Sequence, residues 1–435
     1  MFDTDKLANF KLLAALLILV SQISYAQDIT YARQLIDTLS SPAMDGRGYV
    51  NNGDRKAAAF LAKEFDKMGL LSFSKGYQQL YNFPMNSFPG KMEASANSTK
   101  LKAGSDFQVW GASPSIKGTY KVTTLTQAIL LNPSKLKRFC SRNYSEKFVL
   151  IDKKGITDKK ALSVLDSLKY YNFLHARGLI YVADSKLVGS VIIGFKVRNY
   201  VVVDLLREAL PKKLKTFSLD VESDFISNHS ASNVIGWVKG AFQPDTFLVF
   251  TAHYDHLGRL GSEVYYPGAN DNASGTAMVT DLARYYSQTA NQPYYSIAFI
   301  LLSGEEAGLL GSKFYASHPP FDLKKVKFLM NIDMVGTGSE GITMVNATKY
   351  KDAYNRMLKI NADNEYILTV KERGESCNSD HCPFYEKGVP AVFLYSLGKE
   401  FTEYHNPDDQ SRKLPLTEYN DIFRLVRDFM DSLKN

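Results

Sequence analysis

The stretch FLVFTAHYDH, residues 247–256, decides the fold prediction because it joins a buried strand to a polar turn. Residues 247–252 are mostly apolar, which is typical of a strand that is covered on both faces. Two histidines and an aspartate follow at once: His253, Asp255 and His256. Open α/β sheets build their sites at the carboxyl ends of strands, so this turn is a candidate functional site.

The same pattern recurs outward along the chain, where strand-like runs alternate with helical segments. The strand-like runs are 233–238, 247–252, 297–302, 326–332 and 391–395, and the helical segments between them include 274–287 and 308–317. This alternation predicts an α/β fold with a mostly parallel central sheet and helices on both faces. Residues 31–39 and 54–68 show helical periodicity ahead of this region.

The chain has 435 residues, which is enough for a catalytic domain and one smaller unit. Between residues 78 and 227, short β-like runs alternate with lysine-rich turns and one helix, about 158–177. This change of pattern predicts an inserted smaller α/β or β-rich domain. The expected division is a signal peptide at 1–26, an N-terminal helical part of the catalytic domain at 27–77, the insert at 78–227 and the remaining catalytic domain at 228–435.

The N-terminus has the pattern of a cleavable signal peptide. Lys6 and Lys11 precede the apolar run 12–20, which is too short to span a bilayer of about 30 Å. Residues 24–26, Ser-Tyr-Ala, form a small-x-small cleavage site. We therefore expect cleavage after Ala26, a periplasmic or secreted protein, and no stable membrane anchor after cleavage. A buried N-terminal helix is the alternative.

Composition and charge exclude several classes of protein. Hydrophobic residues make up 45% and charged residues 22% of the chain, which indicates a globular protein and not a disordered one. The net charge of +7 comes from scattered lysine pairs without a basic block, so no nucleic-acid partner is expected.

The cysteines leave two interpretations open. Cys377 and Cys382 are close enough in sequence to bridge in an oxidising compartment, which leaves Cys140 unpaired. They are also candidate zinc ligands, although the Cys-x-x-Cys spacing of structural sites is absent.

Metal-competent side chains follow other strands as well. They are Glu305 and Glu306 after the run 297–302, Asp333 after the run 326–332, and Asp271 in the Gly- and Asn-rich loop 268–275. Each alone is ordinary, since a Glu pair is usually exposed and an Asp in such a loop is usually a turn residue. Gathered at one sheet edge, the carboxylates would repel one another, and divalent cations remove that penalty. The coincidence predicts a metal site.

Through the motifs around these residues, the sequence resembles the co-catalytic two-zinc aminopeptidases, a zinc peptidase family that also includes glutamate carboxypeptidases and glutaminyl cyclases. The matching motifs are AHYDHLG (252–258), GANDNASG (268–275), SGEEAGLLGS (303–312), NIDMVG (331–336) and YHNPDD (404–409), with shorter matches MDGRG (44–48) and SDH (379–381). The resemblance covers about 28–76 and 230 to the end, and the middle insert is poorly covered.

The resemblance implies a site for two Zn²⁺ ions. His253 and Asp333 would bind one ion, Glu306 and His405 would bind the other, and Asp271 would bridge the two. The Asp271–Asn272 peptide bond is implied to be cis. The loop reads Asp-Asn where many relatives have Asp-Asp, but the bridging position is intact.

The resemblance also implies roles for residues that do not bind metal. Glu305 would be the general base, and Asp255 would hold His253 in position. Tyr404 would donate to the oxyanion, with simple packing as the alternative, and His381 would support the site or face the substrate.

The implied activity is that of an aminopeptidase, which removes N-terminal residues from peptides with a free N-terminus. A glutaminyl cyclase-like acyltransferase is one alternative, but cyclases favour tryptophans around the pocket, and Trp110 and Trp237 lie outside the site motifs. A non-catalytic binding module on the same fold is the second alternative, although such relatives have lost ligands or the base. Dipeptidase or carboxypeptidase activity also stays open, because such specificity depends on groups that contact the far carboxylate of the substrate and usually come from inserted segments.

Overall fold

The computed structural model describes residues 28–190 and 197–434, and most of its strands lie in two eight-stranded sheets. The predicted signal peptide, residues 1–26, lies outside the described residues. In the part of the chain that is described, no helix has the length and apolar character needed to cross a membrane.

Helices and strands are numbered along the chain. The helices are α1 (Ile29–Leu39), α2 (Gly53–Lys67), α3 (Gln127–Leu130), α4 (Pro133–Cys140), α5 (Lys159–Tyr171), α6 (Gly275–Tyr286), α7 (Leu310–Ser317), α8 (Lys351–Asn364), α9 (His381–Glu386) and α10 (Tyr419–Ser432). The strands are β1 (Gln78–Ser87), β2 (Met92–Ala96), β3 (Thr99–Leu101), β4 (Phe107–Val109), β5 (Ile116–Leu125), β6 (Lys147–Ile151), β7 (Gly178–Ala183), β8 (Val201–Leu206), β9 (Thr216–Val221), β10 (Asp224–Val238), β11 (Gln243–His253), β12 (Arg259–Leu260), β13 (Val264–Tyr265), β14 (Tyr295–Leu302), β15 (Val326–Ile332), β16 (Gly341–Val345), β17 (Val370–Glu372) and β18 (Ala391–Leu397).

The main sheet has the strand order β1-β10-β14-β11-β15-β18-β16-β17. Its four central strands, β14, β11, β15 and β18, are parallel, whereas β1 and β10 pair antiparallel on one side and β16 pairs antiparallel with β18 on the other. All eight residues of β14 are buried, as expected for a strand with both faces covered. The carboxyl ends of the parallel strands therefore meet at one edge of the sheet.

Helices cover both faces of this sheet, because alternate residues of each central strand point to opposite sides. On one face, Phe250 and Phe299 pack in a core with helices α1, α2, α6 and α10. On the other face, Val249 and Ile300 pack with Tyr315 of α7 and with α9. The sheet therefore lies between two layers of helices. This packing holds the strand ends that carry the polar turns.

The second sheet has the strand order β3-β2-β9-β5-β6-β7-β8-β4, and its strands lie between Met92 and Val221. Helices α4 and α5 cover one face, where Phe139 and Leu165 join a core with residues of β6 and β7. This region mixes helices and strands.

Strand β1 differs from the sequence expectation. A boundary at residue 78 would place Gln78–Ser87 in the insert, but this strand pairs with β10 in the main sheet. Its partner β10 begins at Asp224, well before the predicted start at 233, because the antiparallel ladder with β1 extends it. The division of the chain into domains stays a prediction.

Candidate metal centre

Two groups of metal-competent side chains meet at the carboxyl edge of the parallel strands. One group is His253, Asp271 and Asp333, and the other is His256, Asp271, Glu306 and His405. In each group the potential ligand atoms lie within 4.8 Å of one another. The structure thus brings together all five residues that the resemblance implies as ligands.

The first group gathers around the end of β11. His253 is the last residue of that strand, and Asp333 directly follows the neighbouring β15. The His253 Nε2 atom lies 3.4 Å from Asp271 Oδ1 and 3.3 Å from Asp333 Oδ1. The other ring nitrogen, Nδ1, is 3.2 Å from the Asp255 carbonyl oxygen and 3.7 Å from its carboxylate Oδ1. Asp255 therefore lies behind His253, where it orients the ring with Nε2 towards the carboxylates.

The second group gathers around His405, in the loop after β18. The His405 Nε2 atom lies 2.9 Å from Asp271 Oδ2 and 3.3 Å from Glu306 Oε2. Asp271 thus offers one oxygen to each group, which is the geometry that a bridging carboxylate needs.

Hydrogen bonds between its backbone and two buried side chains hold the turn that carries Asp271. Asp409 accepts the Asn270 and Asp271 amides at 2.8 and 3.1 Å. Arg47 is fully buried and donates to the carbonyls of Pro267, Gly268 and Asp271, as well as to those of Leu39 and Tyr254. The Asp271–Asn272 peptide bond is cis, as the resemblance implies.

Glu305 lies beside both groups but belongs to neither among the described residues. Asp255 holds its backbone, since Asp255 Oδ1 accepts the Glu305 amide at 3.2 Å and Oδ2 accepts the Glu306 amide at 3.3 Å. The Tyr49 hydroxyl donates to the same carboxylate at 2.7 Å. Asp255 therefore connects the β11 turn with the turn that carries both glutamates.

The electrostatics of the site separate Glu305 from the residues of the two groups. Burial, together with the nearby carboxylates of Asp380 and Glu306, raises the pKa of Glu305 well above its usual range, although His253 lowers it. Burial also raises the pKa of Glu306, but His405 and His256 outweigh it and bring that pKa to about 2. Burial lowers the pKa of His405, while Glu306 and Asp271 raise it to about 11. Of the two adjacent glutamates, Glu305 is thus the one that favours holding a proton.

The residues present fit zinc. The set contains imidazole nitrogens and carboxylate oxygens, the ligand types that zinc accepts. Among the described residues, the buried oxygen Asp333 Oδ1 has no hydrogen-bond partner, although it points towards His253. A buried acceptor without a donor is costly unless a cation meets it. The Ser379 hydroxyl occupies the other oxygen of Asp333 at 3.0 Å and leaves Oδ1 for that purpose.

His256 is a site residue to which the sequence analysis gave no role. Its side chain is fully buried, its Nδ1 lies 2.7 Å from Glu306 Oε1, and its Nε2 has no partner among the described residues. The signal was its position three residues after His253 in the same turn. Ser379 and Asp409 also support the site, and their motifs gave no sign of these contacts.

The two residues that were predicted to face the substrate differ in their exposure to solvent. Tyr404 is 44% exposed and stacks on His405 with ring centroids 3.8 Å apart, so it borders the site. His381 is fully buried, and its Nε2 lies 2.8 Å from the Ser376 carbonyl oxygen, so the predicted contact with substrate is not supported by its placement.

Cys377 and Cys382 form a disulfide, which decides between the two interpretations of these cysteines, and Cys140 is free and exposed.

Solved structures share this fold over nearly the whole chain. The zinc aminopeptidase BSAP from Bacillus subtilis covers 94% of this chain and 95% of its own, with a TM-score of 0.69 and 21% identity. A Peptidase M28 precursor from Shewanella amazonensis SB2B covers 93% of each chain, with a TM-score of 0.69 and 19% identity. At these identities the likeness establishes the fold, and the predicted α/β class with its mostly parallel central sheet is confirmed. The molecule is thus an α/β protein of the class that these peptidases adopt.

Sequence comparison finds relatives and a family model that each match part of the chain. Aminopeptidase YwaD from Bacillus subtilis (strain 168) is 33% identical over 231 residues, which are 51% of this chain and 47% of that protein. A probable leucine aminopeptidase from Arthroderma otae is 31% identical over 199 residues, 42% of this chain and 53% of that protein. The chain therefore spans about half the length of these curated relatives. The model of Peptidase family M28 matches residues 233–430, and the family resemblance seen in the motifs is confirmed for this segment.

Proposed function

We propose that this protein is a zinc-dependent aminopeptidase that binds two Zn²⁺ ions and hydrolyses the N-terminal residue from peptides with a free N-terminus. The match of residues 233–430 to the model of Peptidase family M28 supports the peptidase class, and the names of the relatives support zinc and the aminopeptidase activity. The observation that carries the proposal is the pair of ligand groups that share Asp271. His253 and Asp333 hold one ion, and Glu306 and His405 hold the other.

Glu305 is the general base of the proposed reaction. When bound, the zinc ions polarise the scissile carbonyl and lower the pKa of a bound water towards about 7. Glu305 takes a proton from the attacking water and delivers it to the leaving amine. Two features of the protein support this role: the amide of Glu305 is fixed by Asp255, and burial raises the pKa of its carboxyl group.

Tyr404 and His405 define the open side of the site in this proposal. The half-exposed Tyr404 ring lies over His405, so its hydroxyl can reach a substrate that enters from solvent. A phenol that donates to the developing oxyanion would lower the barrier.

The test is to measure zinc content and leucine p-nitroanilide hydrolysis for the wild type and for Glu305→Gln. We expect two zinc ions in both proteins and a loss of turnover in the variant of at least about 10²–10⁴-fold, because the base is removed while the ligands remain. Asp66→Asn, an exposed change on α2, is the control and should retain full activity. Fewer than two zinc ions in the wild type, or full activity in Glu305→Gln, contradicts the proposal. Cyclisation of N-terminal glutamine without hydrolysis would instead favour a glutaminyl cyclase.

We also propose that the protein is exported and works in the periplasm or outside the cell. The pattern of residues 1–26 supports export, and so does the Cys377–Cys382 disulfide, since disulfides persist in oxidising compartments. N-terminal sequencing of the protein from culture should give Gln27 as the first residue, without a retained membrane anchor. An intact N-terminus in the cytoplasmic fraction would contradict export.

A further inference from the structure

The loop that carries His405 makes a close contact with the region between β7 and β8 of the second sheet. The His405 Nδ1 atom lies 3.0 Å from the Gly189 carbonyl oxygen, and the Gly189 amide donates to the His405 carbonyl at 2.7 Å. These two hydrogen bonds join residues that are more than two hundred positions apart in the chain. They are reciprocal, so they fix both the ring and the backbone of His405.

The Gly189 contact decides which ring nitrogen of His405 is available to a metal. A neutral imidazole carries one proton, and a carbonyl oxygen can only accept a hydrogen bond. In the neutral form that can bind a metal, Nδ1 therefore holds the proton, and the Nε2 lone pair next to Asp271 and Glu306 is left for the metal. Such a hydrogen bond to the far nitrogen sets the tautomer and the orientation of metal-binding histidines.

Gly189 is itself held in place from within the second sheet. Gln108, on β4, is buried and donates from Nε2 to the carbonyl of Val188 at 2.7 Å. Leu187 is 4% exposed, which anchors the segment on the other side of Val188. A Cβ atom on Gly189 would lie 2.8 Å from Leu257 Cδ1 and 3.0 Å from the Tyr266 ring. The segment therefore fits tightly against the residues between β11 and α6.

A salt bridge fixes the same loop a few residues earlier. The Lys186 ammonium lies 2.6 and 2.8 Å from the two carboxylate oxygens of Glu403. Glu403 also accepts the side-chain amide of Asn406 at 2.9 Å, so the ion pair extends across His405. Lys186 and Gly189 thus hold the loop at Glu403 and at His405.

We infer that the region of the second sheet is a positioning element of the metal centre: Gln108 and residues 186–189 hold His405 with its Nε2 directed at the shared carboxylates. This inference rests on the proposed metal centre and goes beyond it, because it gives the region outside the family motifs a part in metal binding. Gln108 and Lys186 belong to neither ligand group and act through His405.

The experiment compares zinc affinity, measured by competition with a chromophoric chelator, in the wild type, Gln108→Leu and Lys186→Glu. Leu keeps the approximate size of Gln108 and removes its donor, whereas Lys186 is 64% exposed, so its replacement does not threaten folding. We expect each variant to weaken one zinc site by about 10–100-fold and to leave the other site within about twofold. Lys117→Glu, which breaks an exposed ion pair with Asp220 on the same sheet, should behave as the wild type.

Two further readouts keep the inference separate from the proposed function. The double variant Lys186→Glu/Glu403→Lys restores the ion pair but not the bond from Asn406, and it should bind zinc more tightly than Lys186→Glu alone. Amide hydrogen exchange over residues 402–409, in the metal-free protein, should be faster in Gln108→Leu and Lys186→Glu than in the wild type. Unchanged zinc affinity in both single variants would overturn the inference, even if the wild type binds two zinc ions and is active. A wild type that binds no zinc would overturn the proposed function, and unchanged exchange would then overturn the contact itself.

Discussion

At the residue scale, the hydrogen bond between His256 and Glu306 has the most direct consequence for the metal centre. His256 Nδ1 lies 2.7 Å from Glu306 Oε1, which leaves Oε2 directed towards His405. We expect His256→Gln to weaken zinc binding or activity by about 10–100-fold, because a buried partner that orients a ligand is lost. Zinc titration and turnover check this prediction.

The matched control for His256 is an exposed histidine. His318 lies at the end of α7, away from the ligand groups, and His318→Gln should leave zinc affinity and turnover unchanged. Equal behaviour of the two variants would show that Glu306 keeps its orientation without His256.

His381 gives a prediction about pH. Burial lowers its pKa from 6.5 to about 4. As the pH falls below 6.5, the unfolded chain takes up a proton at His381 while the folded protein does not, so stability falls between pH 6.5 and 4. This difference amounts to roughly 3 kcal/mol. Urea denaturation at pH 7 and at pH 4 should show that His381→Gln loses less stability than the wild type, and parallel losses would refute the prediction.

The sequence identifies the ligands more readily than the residues that hold them. His253 and Asp333 follow apolar runs directly, so their positions at the sheet edge follow from strand polarity. Gly189 contacts His405 through its backbone, whereas Arg47 donates to backbone carbonyls that are far from it in the sequence. Such contacts depend on how separate segments dock and leave no local pattern of side chains to read.

At the scale of elements, Arg47 joins α1, the end of β11 and the turn before α6. Its guanidinium donates to carbonyls of all three, including those of Leu39, Tyr254 and Gly268. Arg47→Lys has fewer donors in a different geometry and leaves buried carbonyls unpaired, which should cost about 3 kcal/mol or more. Urea denaturation checks this loss of stability. Arg55→Lys, on the exposed side of α2, is the control, and an equal stability of the two variants would contradict the role of Arg47.

The central strands were predictable because each is a short apolar run that ends in a polar turn. The match is close for β15, which spans the predicted 326–332, and for β11, whose last residue is His253. The pairing of β1 with β10 was not predictable, since neither strand alternates in burial along its whole length and neither gives a sign of its partner. The sequence analysis also assigned no element to 419–432, where α10 buries one apolar face against the main sheet.

At the scale of the whole molecule, metal removal should lower thermal stability. The site gathers buried carboxylates, and a ligand that binds only the folded state stabilises it by about 2.7 kcal/mol at a hundred times its Kd. We expect dialysis against a chelator to lower the Tm by about 3–5 °C, and zinc to restore it. Calorimetry of the wild type and of Glu306→Ala is the measurement, and the variant should respond less. A wild-type Tm that is independent of metal would contradict a bound ion.

The pairing of β1 with β10 also bears on how such a molecule can arise. Ser87 and Asp224 are paired across β1 and β10, so the chain leaves the main sheet and returns to it at directly opposite positions of one antiparallel pair. A hairpin tip is a place where a chain accepts long additions without disturbing its framework. An ancestor with a tight turn at this position could thus have gained the whole of 88–223 in a single event. The hydrogen bonds between Gly189 and His405 would then tie such an addition to the metal centre, so that its later loss would disturb metal binding.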